Sequence, residues 1–243
     1  MINMLKLILA VLPVTLLPQS GFDIAEMVHN RYMPKDLTNH ARMTLTDSKG
    51  NSRNQAMVIK SVDKNKKQII WFLEPRDIRG ISFLKINHQD KNDEMRMWLP
   101  AFKKVRRISA KKKGDSFMGS DLSYEDLSMR DLSNFDYALL QSDIIQNTEC
   151  YVIETTPKPK LISSYQKHIS WIDKTKFIIL REHSYNLNGE LEKKKEYRYS
   201  LIRDYFIVEK VHVTNVITGH KTEILFSNIQ VDTEVDESLF RDN

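Results

Sequence analysis

The 243-residue sequence carries one cysteine, Cys150, with only seven glycines and seven prolines. A lone cysteine excludes an internal disulfide framework, and so little glycine and proline excludes collagen-like and low-complexity classes. Long apolar runs are also missing. The N-terminal one, Leu7 to Leu17, is interrupted by Pro13 and Thr15, and it falls short of the about 20 apolar residues that a membrane-spanning helix needs. Neither sign of charge dominates, since 37 Lys and Arg face 32 Asp and Glu for a net charge of +5. That balance does not by itself call for a polyanionic partner. What is present is globular: 41% hydrophobic and 9% aromatic residues, with no composition break along the chain.

Met1 to Lys6 with one positive charge, the apolar run, and the small or turn-forming Pro18-Gln19-Ser20-Gly21 follow the layout of a secretory signal peptide. Residues 1–20 are therefore expected to be a cleaved signal and 21–243 a single domain. Cys150 lies far from that junction, which leaves no N-terminal cysteine for a lipid anchor. Export without anchor or disulfide points to the periplasm of a Gram-negative cell.

Beyond this segment, Phe22 to Met33 places Phe22, Ala25, Met27, Val28 and Tyr32 near helical spacing before Pro34 stops it. Thirteen strand-like runs follow: 40–47, 55–62, 68–73, 81–87, 94–99, 104–109, 135–142, 149–155, 166–173, 177–185, 191–200, 206–217 and 221–231. Lys49-Gly50-Asn51, Asn188-Gly189 and Thr218-Gly219 are hairpin-type connections. About a dozen strands with short turns and no interleaved helices predict one large curved antiparallel sheet or barrel. In 190–201, Lys193, Lys195 and Arg198 among Tyr197, Tyr199 and Leu201 predict a half-exposed strand, whereas Ile69 to Leu73 is apolar on both sides and needs cover on both faces. A curled, unclosed sheet leaves a concave apolar surface, filled either by an occupant or by the protein's own side chains.

Residues 95–127 are the most unusual stretch. Lys103, Lys104, Arg106, Arg107, Lys111, Lys112 and Lys113 crowd into eleven positions around Val105 and Ile108. Clustered basic residues suit phosphates, but no nucleic-acid-binding motif accompanies them, so no nucleic-acid partner is expected. An anionic membrane surface or an acidic protein fits better. The alternative is a solvated face paired with the acidic block that follows, Asp115, Asp121, Glu125 and Asp126. No metal-ligand spacing or phosphate-cradling loop is present, so neither metal nor cofactor is expected. Gly114-Asp115-Ser116 raises a serine esterase as a remote alternative, but no Asp-x-x-His partner lies toward the C-terminus. The chain is expected not to be an enzyme.

Two ordered motifs carry a resemblance. Trp98-Leu99-Pro100-Ala101-Phe102-Lys103-Lys104-Val105-Arg106-Arg107-Ile108, then Gly114-Asp115-Ser116-Phe117-Met118-Gly119-Ser120-Asp121-Leu122-Ser123-Tyr124-Glu125-Asp126-Leu127, resembles the signature of the outer membrane lipoprotein-sorting protein family in the LolA-like superfamily. Phe72 to Gly80, with Pro75, Asp77 and Gly80, resembles its upstream motif, and Phe226 to Phe240 its close. The central motif belongs to the longer variant of the superfamily, associated with RND-type exporters, and not to the shorter dedicated lipoprotein chaperones. The resemblance implies an incomplete antiparallel β-barrel of about 11–13 strands, its mouth closed by a few helices, with acyl chains in an apolar cavity. It implies a monomeric periplasmic carrier of lipid or lipoprotein cargo, or a docking accessory of an RND-type exporter without stable cargo. An inner-membrane RND-type transporter or an outer-membrane acceptor would be the partner. On that footing the candidate lipid wall is Trp71, Leu73, Phe83, Met97, Trp98, Leu99 and Phe117, and the basic cluster is the candidate docking surface. Pro75, Asp77, Gly80, Pro100, Gly114, Asp115, Ser116, Gly119, Ser120, Asp121 and Asp126 make up the family-motif loops.

Overall fold

In the computed structural model, which describes residues 20–88 and 93–241, the alternating runs pair into one antiparallel sheet of 14 strands. The first half of the chain supplies β1 (Asp36–Thr46), β2 (Ser52–Val62), β3 (Lys67–Glu74), β4 (Ser82–Ile86), β5 (Glu94–Leu99) and β6 (Lys104–Arg107). The second supplies β7 (Phe135–Leu139), β8 (Asp143–Ile145), β9 (Thr148–Pro157), β10 (Tyr165–Asp173), β11 (Ile179–Asn186), β12 (Leu191–Ile202), β13 (Tyr205–Asn215) and β14 (Lys221–Val231). The order runs β6-β5-β4-β3-β2-β1-β14-β13-β12-β11-β10-β9-β7, with β8 beside β9. The end strands β6 and β7 do not pair with each other, so the sheet curls without closing. The signal assignment lies outside the described residues except for Ser20.

Ser20 starts the α-helix α1 (Gly21–His29): its hydroxyl accepts from the Asp23 N–H at 3.1 Å, and the Asp23 carboxylate accepts from the Ser20 N–H at 3.0 Å. This reciprocal cap satisfies two donors that a helix start otherwise leaves open. The helix ends at His29, four residues before the expected Met33. Of the expected helices closing the mouth, α1 is the one α-helix among the described residues, joined by four short 3-10 turns. Its Ile24 and Ala25 pack on Ile153 of β9 and Ile172 of β10. Gly21 lets the helix press close, since a Cβ there would lie 2.8 Å from the Ala138 carbonyl carbon in β7.

The larger core lines the concave face of the other half. Met43, Met57, Ile59, Ile70, Phe72, Phe83, Met95, Met97, Val213 and Ile224, from β1 to β5 and from β13 and β14, surround Phe117, Leu122 and Tyr124. Those three come from the segment between β6 and β7, which enters the half-barrel as a plug. The Phe117 ring sits 5.1 Å from Phe83, 5.7 Å from Tyr124 and 6.0 Å from Phe72, distances at which aromatic pairs attract beyond simple burial. Polar ties hold the plug's backbone: Gln55 Nε2 donates to the Met118 carbonyl at 3.0 Å, and Thr222 Oγ1 accepts from the Asp121 N–H at 2.8 Å. The two-faced apolar run in β3 is covered twice, as required. Ile70 and Phe72 join the concave core, while Ile69 and Trp71 on the opposite face pack with Val235, Leu239 and Phe240 near the C-terminus.

Candidate functional site

Side chains two apart on a strand share a face, so Lys193, Lys195, Tyr197 and Tyr199 of β12 all turn inward. The strand is half-exposed as expected, with Lys194, Glu196 and Arg198 on its exposed face, but Lys193 and Lys195 lie on the buried one at 6% and 2% exposed. Buried ammonium groups persist only when paired, and here the partners come from separate elements. The Asp126 carboxylate, at the end of the plug, accepts from Lys193 Nζ at 3.2 Å, from Lys195 Nζ, from Tyr165 Oη at 2.8 Å and from the Ser123 N–H at 2.8 Å. Glu182 of β11 takes a bidentate pair from Arg130 at 2.6 and 2.9 Å, Lys195 Nζ at 3.1 Å and Ser170 Oγ at 3.1 Å. His168 Nδ1 lies 2.9 Å from Ser184 Oγ and 3.7 Å from Glu182.

The network fixes the charge states. Burial works to raise the Asp126 and Glu182 carboxyls, but Lys195 and Lys193 beside the first and Arg130 and Lys195 beside the second outweigh it, holding both well below the carboxylate range. Burial opposes the Lys195 charge in turn, and Asp126 and Glu182 override it, so the ammonium is held more firmly than usual. His168 is pushed down by burial and by the Arg130 charge and is neutral. Lys85 of β4 differs. It is 1% exposed, donates to the Leu127 carbonyl at 2.8 Å, and burial brings its pKa to about 8 against the opposing pull of Asp93.

Asp126, Arg130, Ser170, Glu182 and Lys195 of this network line a cavity of ≈ 510 Å³ between α1, the 64–66 turn, the segment 125–132 and strands β7 and β9 to β12. Its apolar lining comes from Ala25 and Val28 of α1, Tyr137 of β7, Ile153 of β9, Ile172 of β10 and Ile179 of β11, and further polar lining from His29, Arg31 and residues 64–66. A second cavity of ≈ 280 Å³ shares Glu125, Asp126, Ser128, Met129, Arg130 and Leu132 with the first and extends to Asn87, Asp93, Lys113 and Ile162. Together they form an amphipathic space of the size that holds small ligands. Such a space accepts a molecule with an apolar tail and a polar end.

The seven candidate wall residues lie elsewhere. Phe83, Met97, Leu99 and Phe117 belong to the plugged concave core, whereas Trp71, Leu73 and Trp98 face the other side of the sheet, and none of the seven lines either cavity. In the basic cluster Lys103, Lys104, Arg106, Arg107, Lys111 and Lys112 are exposed, but Lys113 turns inward to Asp93 at 3.1 Å. The motif residues are mostly structural. Asp77 pairs with Arg53 at 2.5 Å, the Gly80 N–H donates to the Phe72 carbonyl at 2.9 Å, and Pro100 packs against Gly80. Ser116 Oγ donates to the Ser120 carbonyl at 2.6 Å, Ser120 Oγ to that of Phe117 at 2.7 Å, and the Asp115 N–H to that of Lys112 at 3.0 Å. Gly114 and Gly119 shape the turn, Gly119 at φ +81 and Gly114 because a Cβ would lie 2.8 Å from Ser164 Cβ. Asp121 binds Thr222, and Asp126 alone of the motif joins the charged network. Arg130, Glu182, Lys193, Lys195, Tyr165 and His168 were missed. The usable signal was the shared parity of two lysines with two tyrosines on β12.

Residues 64–243 match a protein-family model described as an uncharacterized protein. No curated protein matches the chain. Among solved structures, the outer membrane lipoprotein-sorting protein domain from Vibrio parahaemolyticus is 30% identical, with 91% of this chain and 96% of that one covered at a TM-score of 0.86. A DUF1329 family protein from Desulfovibrio piger is 28% identical over 91% of this chain and 95% of that one, at a TM-score of 0.85. A LolA superfamily protein from Nitrosomonas europaea shares the fold at a TM-score of 0.73, with 16% identity over 93% and 99% of the two chains. With a sheet that curls without closing, as in the LolA superfamily structure, and a 30% identical relative matched over nearly its whole length, the chain belongs to the outer membrane lipoprotein-sorting protein family.

Proposed function

We propose that the chain is a periplasmic carrier that takes an acylated lipid or lipoprotein by its acyl chain and delivers it toward the outer membrane. The observation that carries this reading is the open ≈ 510 Å³ cavity beneath α1, lined by both apolar and charged side chains. Each methylene moved from water onto the apolar lining contributes about 0.8 kcal/mol, so eight of them supply about 6 kcal/mol. The charged residues of the same lining are the proposed contacts for the polar end of the cargo. Cargo so held leaves slowly, and an RND-type inner-membrane transporter and an outer-membrane acceptor are the proposed donor and recipient. The plug supports a second reading, an exporter accessory without cargo, because it fills with protein the surface that a larger ligand would use.

Native mass spectrometry of the protein isolated from periplasm, with lipid analysis of the denatured sample, separates the two. A carrier retains a stoichiometric acylated species and melts higher when lipid is added, because a ligand stabilises only the state it binds. Val28→Trp, which fills the cavity from a partly exposed helix position, is expected to keep the fold and lose the bound species. An empty wild-type protein that gains no thermal stability from acylated peptide or phospholipid overturns the carrier reading and leaves the accessory.

A further inference from the structure

The exposed end of the sheet carries charge without partners. Lys103, Lys104, Arg106, Arg107, Lys111 and Lys112 are exposed, and none forms an ion pair among the described residues. The acidic block that follows in sequence does not neutralise them. Asp121 binds Thr222, Glu125 accepts from Ser163 and Ser164, and Asp126 is consumed by the buried lysines. Asp115 is exposed and pairs with none of the six.

Apolar side chains stand among these charges. Phe102 is 71% exposed, at the tip between β5 and β6, and Val105 is 51% exposed on the edge strand itself. Trp98 is paired in register with Val105 and is 38% exposed, and Leu73 on the same outer face is 42% exposed. Charged side chains alone are enough to keep a sheet edge from pairing with another copy. An aromatic tip and a tryptophan placed among unpaired cations are the composition of a surface that enters the headgroup region of a bilayer.

We propose that the β6 edge is a docking surface for an anionic phospholipid bilayer, with Phe102, Val105 and Trp98 entering the interface and the six cations contacting headgroup phosphates. Phosphate provides the charge complement that the protein withholds, and burial of an aromatic tip distinguishes a bilayer from an acidic protein surface recognised through charge. The orientation is useful to a carrier: Lys113, next in sequence to Lys111 and Lys112, lies on the wall of the smaller cavity. Docking would bring that end of the amphipathic space to the membrane.

Co-sedimentation tests this directly, with vesicles of phosphatidylglycerol mixed into phosphatidylcholine against vesicles of phosphatidylcholine alone. It reads association rather than transfer, so it stands or falls apart from the carrier reading. The protein is expected to bind the anionic vesicles only, with salt weakening the binding. Replacing Lys103, Lys104, Arg106 and Arg107 together by Gln is expected to weaken it by about two to three orders of magnitude, about fivefold per charge. Phe102→Ala is expected to weaken it about tenfold without changing the salt dependence. All five positions are exposed, so melting temperatures should not move, and quenching of wild-type tryptophan emission by brominated lipid gives a readout independent of any variant. No binding to anionic vesicles at low salt overturns the proposal. So does undiminished binding by Phe102→Ala together with unquenched tryptophan, which would assign the surface to an acidic protein partner.

Discussion

Lys195 and Arg53 show how differently two charged residues depend on their surroundings. Arg53 and Asp77 form an ion pair at 2.5 Å with side chains 51% and 62% exposed, and water and salt leave such a pair worth about 0–1 kcal/mol. Asp126 is 1% exposed and serves two buried ammonium groups. Asp126→Asn should therefore cost about 3–5 kcal/mol in urea unfolding, because it strands charge in the interior, while Arg53→Ala should cost less than about 1 kcal/mol. Lys85 makes a prediction in pH. Its folded pKa is about 8 against an ordinary 10.5, so between those values the unfolded chain holds the extra proton. Stability contributed at this site then rises with pH across that window. Lys85→Met should remove that rise, seen as a wild-type minus variant difference that grows from pH 8 to 10.5 in denaturant titrations. Little of this was legible in the sequence. A lysine on a strand reads as solvated by default, and Asp126, Glu182 and Lys195 become neighbours only through three separate elements.

The strands were far more legible, because alternation is a local property. β5 and β14 match their expected bounds, 94–99 and 221–231, and others shift by a few residues. β8, three residues long, is too short to show a period. The plug is the element that sequence reading misplaced. Phe117, expected on the wall of an acyl-binding cavity, packs in the core of the half-barrel instead, ringed by Phe72, Phe83 and Tyr124. No periodicity marks a loop whose direction is set by hydrogen bonds from Gln55 and Thr222 on distant strands. Phe117→Ala should cost about 3–5 kcal/mol in the same unfolding assay, since tilted and edge-on rings on three sides cannot collapse into the hole. A loss below about 1 kcal/mol would mean the plug contributes little to the core it occupies.

Across the whole molecule, stability should be graded from the middle of the sheet to its ends. β1, β2, β13 and β14 have partners on both edges, whereas β6 pairs only with β5, and all four of its residues are exposed. Backbone amides open with free energies that follow local packing. Hydrogen exchange read by mass spectrometry should therefore protect β1 and β14 longest and release β6 first. Equal protection would show the sheet opening as one unit. The middle of that gradient is also a junction in time. Leu37 of the first strand pairs with Val231 of the last, so the two halves of the sheet are joined by residues nearly 200 positions apart. A contact of such sequence separation is costly to close and slows folding. The first strand can pair with β2 early, but the ribosome must finish the last strand before the other edge of the first is covered, so the newly made chain spends its synthesis with its central seam open.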